Sequence, residues 1–508
     1  MSASDTEPGS PLSWRAPLRR QLLWLALGVA PFAVLALLHW RDLPFRDAGD
    51  YAQYMLHAKA IATGQPYSDI GYLYTPYNVM IGPRVQPPGW PLLLAPGIVM
   101  FGVELLYPKI LVTLFMVAFL MVVAVRLWRD DERWVSVAAV AAVGAGLESS
   151  FATNSPISDI PFAAMLWGVF LLADTQSPLS WRRVALIGLL GSYAMSVRVI
   201  GVAIVPAVLL LGLVRPRDRT RLWALGGVWL VLGALAVVIV GLDHVPFLKL
   251  ALRGPGVILG RFANLWAKYR YGLLESLLYP TPWNVPNDAY HLAALIVIPV
   301  GLFDFVRRYG RSALGCCTLC YVLIMGASPV SDQRYLWPLW PVISYSLFAG
   351  MRRVASWVPR WSGPARRLVP WAAVLLAGCP VLNGLRGHNR QPLLSRGDVQ
   401  ELFQWIGREK QRGLMRMMFI SPRVLTLETG VPAMGYFRAP PDQVISELER
   451  TRITHVIVGD AGIEHPPIDG LMTVLTARAD AFERQFSNAG FTVYRVRNLA
   501  RAPPHERP

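Results

Sequence analysis

Charge is scarce in this chain. Only 16% of its residues are Asp, Glu, Lys or Arg, against about 25% in an ordinary soluble domain. With 54% hydrophobic residues, that scarcity excludes a simple water-soluble globule over most of the 508 residues and places the larger part in lipid. Cysteine is scarcer still. Cys316, Cys317, Cys320 and Cys379 all fall inside apolar runs, so they read as small core or lipid-facing residues and exclude a disulfide frame. A zinc site at the first three is disfavoured, because their thiolates would have to ionise within a membrane helix with no histidine nearby. There is no internal repeat and no glycine-rich phosphate loop. The first absence speaks against a repeat-built transporter, the second against a soluble nucleotide pocket.

Acid is the rarer sign, which leaves a formal net charge of +17. On a soluble protein such basicity would suggest nucleic acid. Here the arginines cluster in short loops between apolar runs, at Arg126/Arg129/Arg133, Arg182/Arg183, Arg215–Arg221, Arg307/Arg308/Arg311, Arg352/Arg353 and Arg366/Arg367. That is the positive-inside pattern of a polytopic membrane protein, so no nucleic-acid partner is expected.

A membrane-spanning helix needs roughly 20 apolar residues. Candidate spans are residues 22–40, 107–128, 134–150, 160–174, 184–197, 199–214, 222–242, 290–306, 312–328, 335–351 and 368–386. The first follows Arg15, Arg19 and Arg20, lacks a small-residue cleavage site and reads as a retained anchor. With the basic loops inside, these spans alternate consistently: the N-terminus is cytoplasmic, and everything after residue 386 is outside. Two long outer loops result, 41–106 and 243–289, both rich in Pro, Gly, Tyr and Trp, as suits an interfacial cover. Within the first, Tyr51, Met55, Ala58 and Ala62 recur at helical spacing and Gly64 ends the pattern, which predicts an interfacial amphipathic helix over 48–63. Residues 89–103 are apolar but short and proline-broken for a span.

The expected organisation is a cytoplasmic tail (1–20), a transmembrane domain (21–386) of about eleven helices with outer-face interfacial helices, a small soluble α/β domain outside (387–499), and a disordered end (500–508). In the soluble part, helices are expected over 398–412, 441–451 and 471–488, and strands over 417–421, 455–459 and 491–497.

Polar residues in the outer loops are the candidates for chemistry, and each has a structural reading beside the functional one. Asp47 and Asp50 sit where the first span ends. Asp47 is a natural N-cap and Asp50 a weaker capping-box partner; a helix N-terminus at the headgroups would equally keep a catalytic carboxylate ionised. Arg84, in GPRVQPPGWPLL (82–93), is either a snorkelling interfacial residue or a phosphate clamp ahead of a rigid Pro87-Pro88-Gly89 turn. Arg198 splits an apolar run over 184–214, and a charge near membrane depth is costly enough to suggest function; the plain alternative is a turn at the outer surface. Asp159 is an N-cap candidate. Arg334 and Tyr335 stand at a span's outer mouth, as belt anchors or ligand contacts. By topology these groups all reach the outer face. Guanidiniums there can bind a lipid phosphate and stabilise it as a leaving group, and a carboxylate can deprotonate an incoming hydroxyl.

At these positions the sequence resembles the GT-C-type glycosyltransferases that use polyprenyl-phosphate sugars, such as protein mannosyltransferases and lipid A aminoarabinose transferases. The resemblance spans roughly residues 20–350. It rests on Asp47 four residues before Tyr51, AKAIATGQPY (58–67, with Lys59), PPGWP (87–91), SDIPF (158–162) and RYLWP (334–338). It implies Asp47 as the catalytic base with Asp50 as second choice, and Arg84, Arg198 and Arg334 as donor-phosphate contacts. Asp159, Tyr335 and Lys59 are further outer-face candidates. The implied donor is a polyprenyl-phosphate-linked sugar, and the acceptor a glycan, lipid or protein, met among membrane lipids. Transfer would be a single inverting displacement. Relatives often have Asp-Glu where this chain has Asp47-Ala48, and some supply a Glu or His for a divalent metal where it has Gln86, so a metal is left open. Three other readings stay on the table: a lipid-linked glycan flippase or transporter, a surface-glycan polymerase or ligase with a pyrophosphate-linked donor, and a non-catalytic assembly subunit with the tail as a binding module. The short loops and arginine-rich, lysine-poor usage point to a bacterial inner membrane.

Overall fold

The computed structural model describes residues 18–38, 48–77, 82–83, 86–104, 106–129, 133–146, 157–240, 256, 260, 287–327, 333–357, 394, 396–459 and 469–497. Contacts divide the chain into two compact units. One holds residues 1–42, 109–154 and 158–388, the other residues 43–108, 155–157 and 389–508.

The first unit is helical. Its helices are α1 (Leu18–Leu38), α4 (Leu106–Trp128, entering at Lys109), α5 (Arg133–Ala145), α6 (Asp159–Ala173), α7 (Trp181–Val197), α8 (Ile204–Val214), α9 (Arg219–Val240), α10 (Asn287–Tyr309), α11 (Ala313–Ala327) and α12 (Trp340–Trp357). 3₁₀ turns occupy Val199–Ala203 and Gln333–Leu339. Every candidate span up to 335–351 contains a helix, while 368–386 lies outside the described residues. Among those residues one helix, Leu106–Trp128, is long and apolar enough by itself to cross a membrane. A bent pair, Val199–Val214 with Pro216–Leu235, passes the same test jointly at an angle of 118°. The unit is a helical fold; the count of eleven crossings goes beyond what these lengths establish.

Small residues bring helices of this unit together. A Cβ added at Gly301 of α10 would sit 1.7 Å from the Ser346 carbonyl oxygen, and one at Gly350 of α12 would sit 2.0 Å from that of Val297. The two backbones therefore touch, as membrane helices do where glycine removes the side-chain spacer. Elsewhere the core is aromatic: Trp167, fully buried, donates its indole N–H to the Pro338 carbonyl at 2.9 Å, which meets the need of a buried Trp for a partner.

Asp174, just after α6, ties several of these helices. Its carboxylate accepts from Arg126 Nε (2.9 Å) and Nη2 (2.6 Å), Arg215 Nη2 (2.9 Å), and the Ala313 (2.6 Å) and Leu314 (3.3 Å) amides that open α11. Arg126 also lies over the Tyr309 ring at 5.0 Å. A buried carboxylate is tolerated when every lone pair meets a donor and a helix N-terminus adds its dipole. Cys316, Cys317 and Cys320 are free and buried on α11.

The second unit combines the first outer loop with the tail. Its sheet has strand order β1-β3-β2-β4-β6-β5, formed by β1 (Tyr72–Leu73), β2 (Met417–Met418), β3 (Ala433–Met434), β4 (His455–Gly459), β5 (Phe482–Ser487) and β6 (Phe491–Val496). Strands β1, β3, β2 and β4 pair in parallel; β6 and β5 are antiparallel. Helices α13 (Gly397–Lys410), α14 (Pro422–Thr429), α15 (Pro441–Thr451) and α16 (Asp469–Ala477) accompany it. Met417, Met418, Phe419, Val456, Ile457 and Val493 form the buried centre, the continuous apolar reading expected of strands covered on both faces.

Three sequence expectations change here. The helix expected over 471–488 stops at Ala477, and its second half is β5. FERQFS is compatible with helix, but pairing with β6 buries Phe482 and packs Phe486 on the core, and such packing outweighs local propensity. The edge strand β1 comes from the first loop, not from the tail. Gly71 precedes it at φ +73°, where a Cβ would lie 2.7 Å from Thr426 Cγ2, so glycine alone fits. Finally, α2 (Ala48–Ala62) forms as expected, ending ahead of Gly64 at φ +68°, but it is not a half-covered surface helix. Ala52, Gln53, Met55, Leu56, His57 and Ala58 are all buried. Most of the helix is covered because α2 packs against both α3 (Gly89–Phe101) and α14. Each large apolar side chain so buried contributes about 1.5–3 kcal/mol.

Candidate functional site

The candidate residues fall into two groups, one in each unit. Asp47 and Arg84 lie outside the described residues. Asp47 is the residue immediately before α2 in the chain.

In the second unit, Asp50 occupies the first turn of α2, where the helix dipole favours a carboxylate. Arg423, in the first turn of α14, donates from Nη1 to Asp50 Oδ1 at 2.8 Å. The Arg423 side chain is 4% exposed and that of Asp50 40%. The same guanidinium lies over the Tyr72 ring of β1 at 5.1 Å, a cation–π contact that holds its plane. Lys59, by contrast, is exposed on α2.

A buried polar chain starts further along α2. His57 Nδ1 donates to the Tyr67 carbonyl at 2.8 Å, its ring stacks on that of Tyr67 at 4.2 Å, and Gln53 Nε2 lies 3.5 Å from Nε2. A carbonyl can only accept, so the proton sits on Nδ1 and Nε2 keeps its lone pair. Burial pushes the His57 pKa down to about 4, so the ring is neutral at physiological pH. Tyr67 Oη then donates to the Gln86 carbonyl at 3.0 Å. The chain thus links α2 to the Pro87-Pro88 turn that opens α3. Gln86 enters through its backbone, as a fixed acceptor.

In the first unit, α7 ends at Val197 and Arg198 follows in extended conformation (φ −144°, ψ 134°) as its C-cap. The turn directs the guanidinium to α6, where Nη1 meets Ser158 Oγ at 3.4 Å and forms an ion pair with Asp159. The Arg198 side chain is 14% exposed and that of Asp159 2%. Arg198 also lies over the Tyr335 ring at 5.1 Å. Tyr335 is held in turn by Tyr321 Oη, which donates to its carbonyl at 2.9 Å. The structure therefore brings Asp159, Arg198 and Tyr335 together, with Arg334 adjacent and half-buried. An arginine facing a buried carboxylate is already largely neutralised, so any anion must share it with Asp159.

Sequence reasoning missed Arg423, His57 and Asp174. His57 carried a signal, as the one histidine of α2, flanked on both sides by apolar residues (Leu56 and Ala58). Arg423 carried none, since its partner is in the first loop. Among the described residues no group of three or more His, Cys, Asp or Glu side chains is placed to hold a metal ion, and the donors of the two groups above are mostly guanidinium, amide and phenol, which do not suit a divalent cation.

The fold is that of the GT-C-type glycosyltransferases. Its solved neighbours make this specific. ArnT from Cupriavidus metallidurans, bound to undecaprenyl phosphate, matches with a TM-score of 0.56 at 14% identity over 96% of this chain and 100% of its own. The oligosaccharyltransferase AglB from Archaeoglobus fulgidus, with an inhibitory peptide and a dolichol-phosphate, matches at 0.54 and 13% over 87% and 70%. Arabinofuranosyltransferase AftD from Mycobacteria matches at 0.51 and 16% over 94% and 40%. No protein-family model and no curated protein matches the chain.

Proposed function

We propose that this protein is an integral membrane glycosyltransferase. It moves a hexosyl or pentosyl group from a polyprenyl-phosphate donor to a glycan, lipid or protein acceptor on the extracytoplasmic face, in a bacterial inner membrane. The observation that carries this reading is the end-to-end likeness to the fold of ArnT, which covers the helical unit and the tail alike.

The acceptor hydroxyl oxygen attacks the anomeric carbon as the bond from that carbon to the phosphate oxygen breaks. The hydroxyl proton passes to Asp47, and the polyprenyl phosphate leaves with its electron pair. Arg84 is the donor-phosphate contact, with Arg198 and Arg334 as further ones; guanidiniums suit a leaving phosphate because their fork matches its oxygens. A single carboxylate and no nucleophile partner give inversion. Asp50 is the weaker candidate base, because its carboxylate is already engaged by Arg423.

The test supplies the purified full chain with a panel of undecaprenyl-phosphate sugars (hexose, pentose and aminopentose) and follows release of undecaprenyl phosphate together with the anomeric configuration of the product. The expected result is release in wild type, inverted product, and loss of at least about 100-fold in Asp47→Asn, the scale of general-base catalysis. Equal turnover in Asp47→Asn would remove that residue from its role.

A further inference from the structure

On the side of the sheet that α13 covers, the second unit carries an aromatic strip beside an exposed cation. His455 of β4 and Glu483 of β5 both stand opposite Arg495 of β6, so the three share one face of the sheet. Trp405 of α13 lies over that face. Its ring stacks on that of Phe486 at 5.4 Å between centroids and makes a T-shaped contact with His455 at 6.1 Å. All three rings are half-buried, and Arg495 is exposed.

The polar groups around the strip are unevenly used. Glu483 is taken by Arg497, at 3.0 Å from Nε, and Glu409 by Arg412. His455 Nδ1 meets Thr454 Oγ1 at 2.9 Å. Burial first, and the Arg495 charge next, push the His455 pKa below the ordinary 6.5 although Glu409 opposes, so the ring is neutral at neutral pH. Among the described residues, no acceptor meets the Trp405 indole N–H, no carboxylate pairs with Arg495, and nothing bonds His455 Nε2. A tryptophan that only completes a core turns its N–H to a carbonyl, as Trp167 does towards Pro338. Trp405 does not.

The geometry points to a saccharide-binding subsite on this strip, taking a pyranose chain that bears an acidic group; its role on the acceptor side of the transfer rests on the function proposed above. The C–H bonds of a sugar ring carry slight positive charge and pack flat on the negative face of an indole. The hydroxyls at the ring's edge need both donors and acceptors, which the Trp405 N–H and His455 Nε2 supply. The Arg495 fork fits a carboxylate or phosphate oxygen pair. Tryptophan and arginine are also the residues that carry most binding energy where surfaces meet a ligand. A peptide added as a further strand fits less well, because β5 is bulged between Arg484 and Phe486, and a bulge spoils edge pairing.

The experiment measures binding of trigalacturonic acid and of neutral cellotriose to the full chain in detergent, by titration calorimetry, in wild type, Trp405→Ala, Arg495→Gln and Arg484→Gln. Wild type is expected to bind both trimers, the acidic one more tightly. Trp405→Ala should weaken both by about 10-fold or more. Arg495→Gln should weaken the acidic trimer alone, by about 5- to 10-fold. Arg484 is exposed on the opposite face of β5, so Arg484→Gln should change neither. If Trp405→Ala does not fold, Arg495→Gln, a change at an exposed position, carries the acidic-against-neutral comparison. No binding of either trimer by wild type, or binding indifferent to both Trp405 and Arg495, would overturn the subsite. Hexaglutamate bound as tightly as trigalacturonic acid, and without regard to Trp405, would overturn it too, by showing attraction of charge alone. Binding stands apart from transfer. Variant-sensitive binding in a chain that turns over no undecaprenyl-phosphate sugar defeats the enzymatic reading and leaves the subsite. Turnover without saccharide binding defeats the subsite and leaves the enzyme.

Discussion

Arg423 and Asp50 are 373 residues apart in sequence and 2.8 Å apart in space. An ion pair between exposed side chains contributes about 0–1 kcal/mol, but this one is asymmetric: the guanidinium is enclosed and the carboxylate half open. An enclosed charge without its partner is expensive, so the tail needs the loop as much as the loop needs the tail. The unit formed by residues 43–108, 155–157 and 389–508 is therefore best regarded as one folding object drawn from separate stretches of the chain.

The pH dependence of that object follows from His57. Its pKa of about 4 lies below the ordinary 6.5, first because of burial and further because of the nearby Arg423 charge. Above pH 6.5 the ring is neutral in both folded and unfolded chains and adds no slope. Between 6.5 and 4 the unfolded chain takes up a proton that the folded chain refuses, so stability falls as pH falls. The whole window corresponds to about 3 kcal/mol. Thermal midpoints of the full chain measured from pH 4 to pH 7 should drop towards acid, and His57→Gln, which does not titrate, should flatten the curve. An unaltered slope in that variant would show that the acid sensitivity comes from elsewhere.

Asp174 makes a prediction about the helical unit. Its carboxylate accepts from two arginines and two backbone amides. Asp174→Ala removes all of these at once, leaving Arg126, whose side chain is 3% exposed, without its counter-charge. The expected cost is about 3–5 kcal/mol, the range for breaking a buried pair. Asp174→Asn should cost nearly as much, because an amide N–H₂ turned towards a guanidinium opposes it. Glu483→Ala is the control: its pair with Arg497 is exposed on both sides, and losing it should change stability by less than about 1 kcal/mol. Thermal unfolding of the solubilised chain would settle the contrast; equal midpoints for Asp174→Ala and Glu483→Ala would refute it.

Much of this architecture was legible in the residues. Apolar runs bounded by arginine clusters marked the helices of the first unit, because long apolar stretches leave a strong, local signal. The α/β tail announced β4, β6 and α15 through short apolar runs and a clean helical period. What stayed hidden was non-local. Strand β1 is two residues long, and nothing in YL distinguishes it until β3 lies beside it. β5 was hidden because FERQFS suits a helix until β6 offers it a partner. The candidate site was half visible: Asp50, Asp159, Arg198 and Tyr335 stood out as polar residues at span ends. Their pairings did not, because an ion pair between α6 and the end of α7, or between α2 and α14, depends on packing that no window of sequence contains. The buried His57–Tyr67–Gln86 chain is of the same kind, since its last link uses a backbone carbonyl.

The Arg198–Asp159 pair complicates the simplest test of donor binding. Arg198→Leu is expected to weaken affinity for a donor phosphate, but it also takes the ion-pair partner from a carboxylate that is 2% exposed. That loss costs about 3–5 kcal/mol and would depress folding whatever the residue does for substrate. The two effects separate in a double variant. Asp159→Asn neutralises the buried acid, so Arg198→Leu on that background should regain most of the thermal stability lost in the single change. If Arg198 also binds the donor phosphate, donor KM stays raised in the double variant, by about 10-fold or more for a lost charged contact. If Arg198 only balances Asp159, KM returns to the value of Asp159→Asn alone. Binding of undecaprenyl phosphate to the same set of variants gives the comparison independently of turnover, and Asp159→Asn by itself should then bind more tightly than wild type, because it frees the guanidinium from its internal competitor.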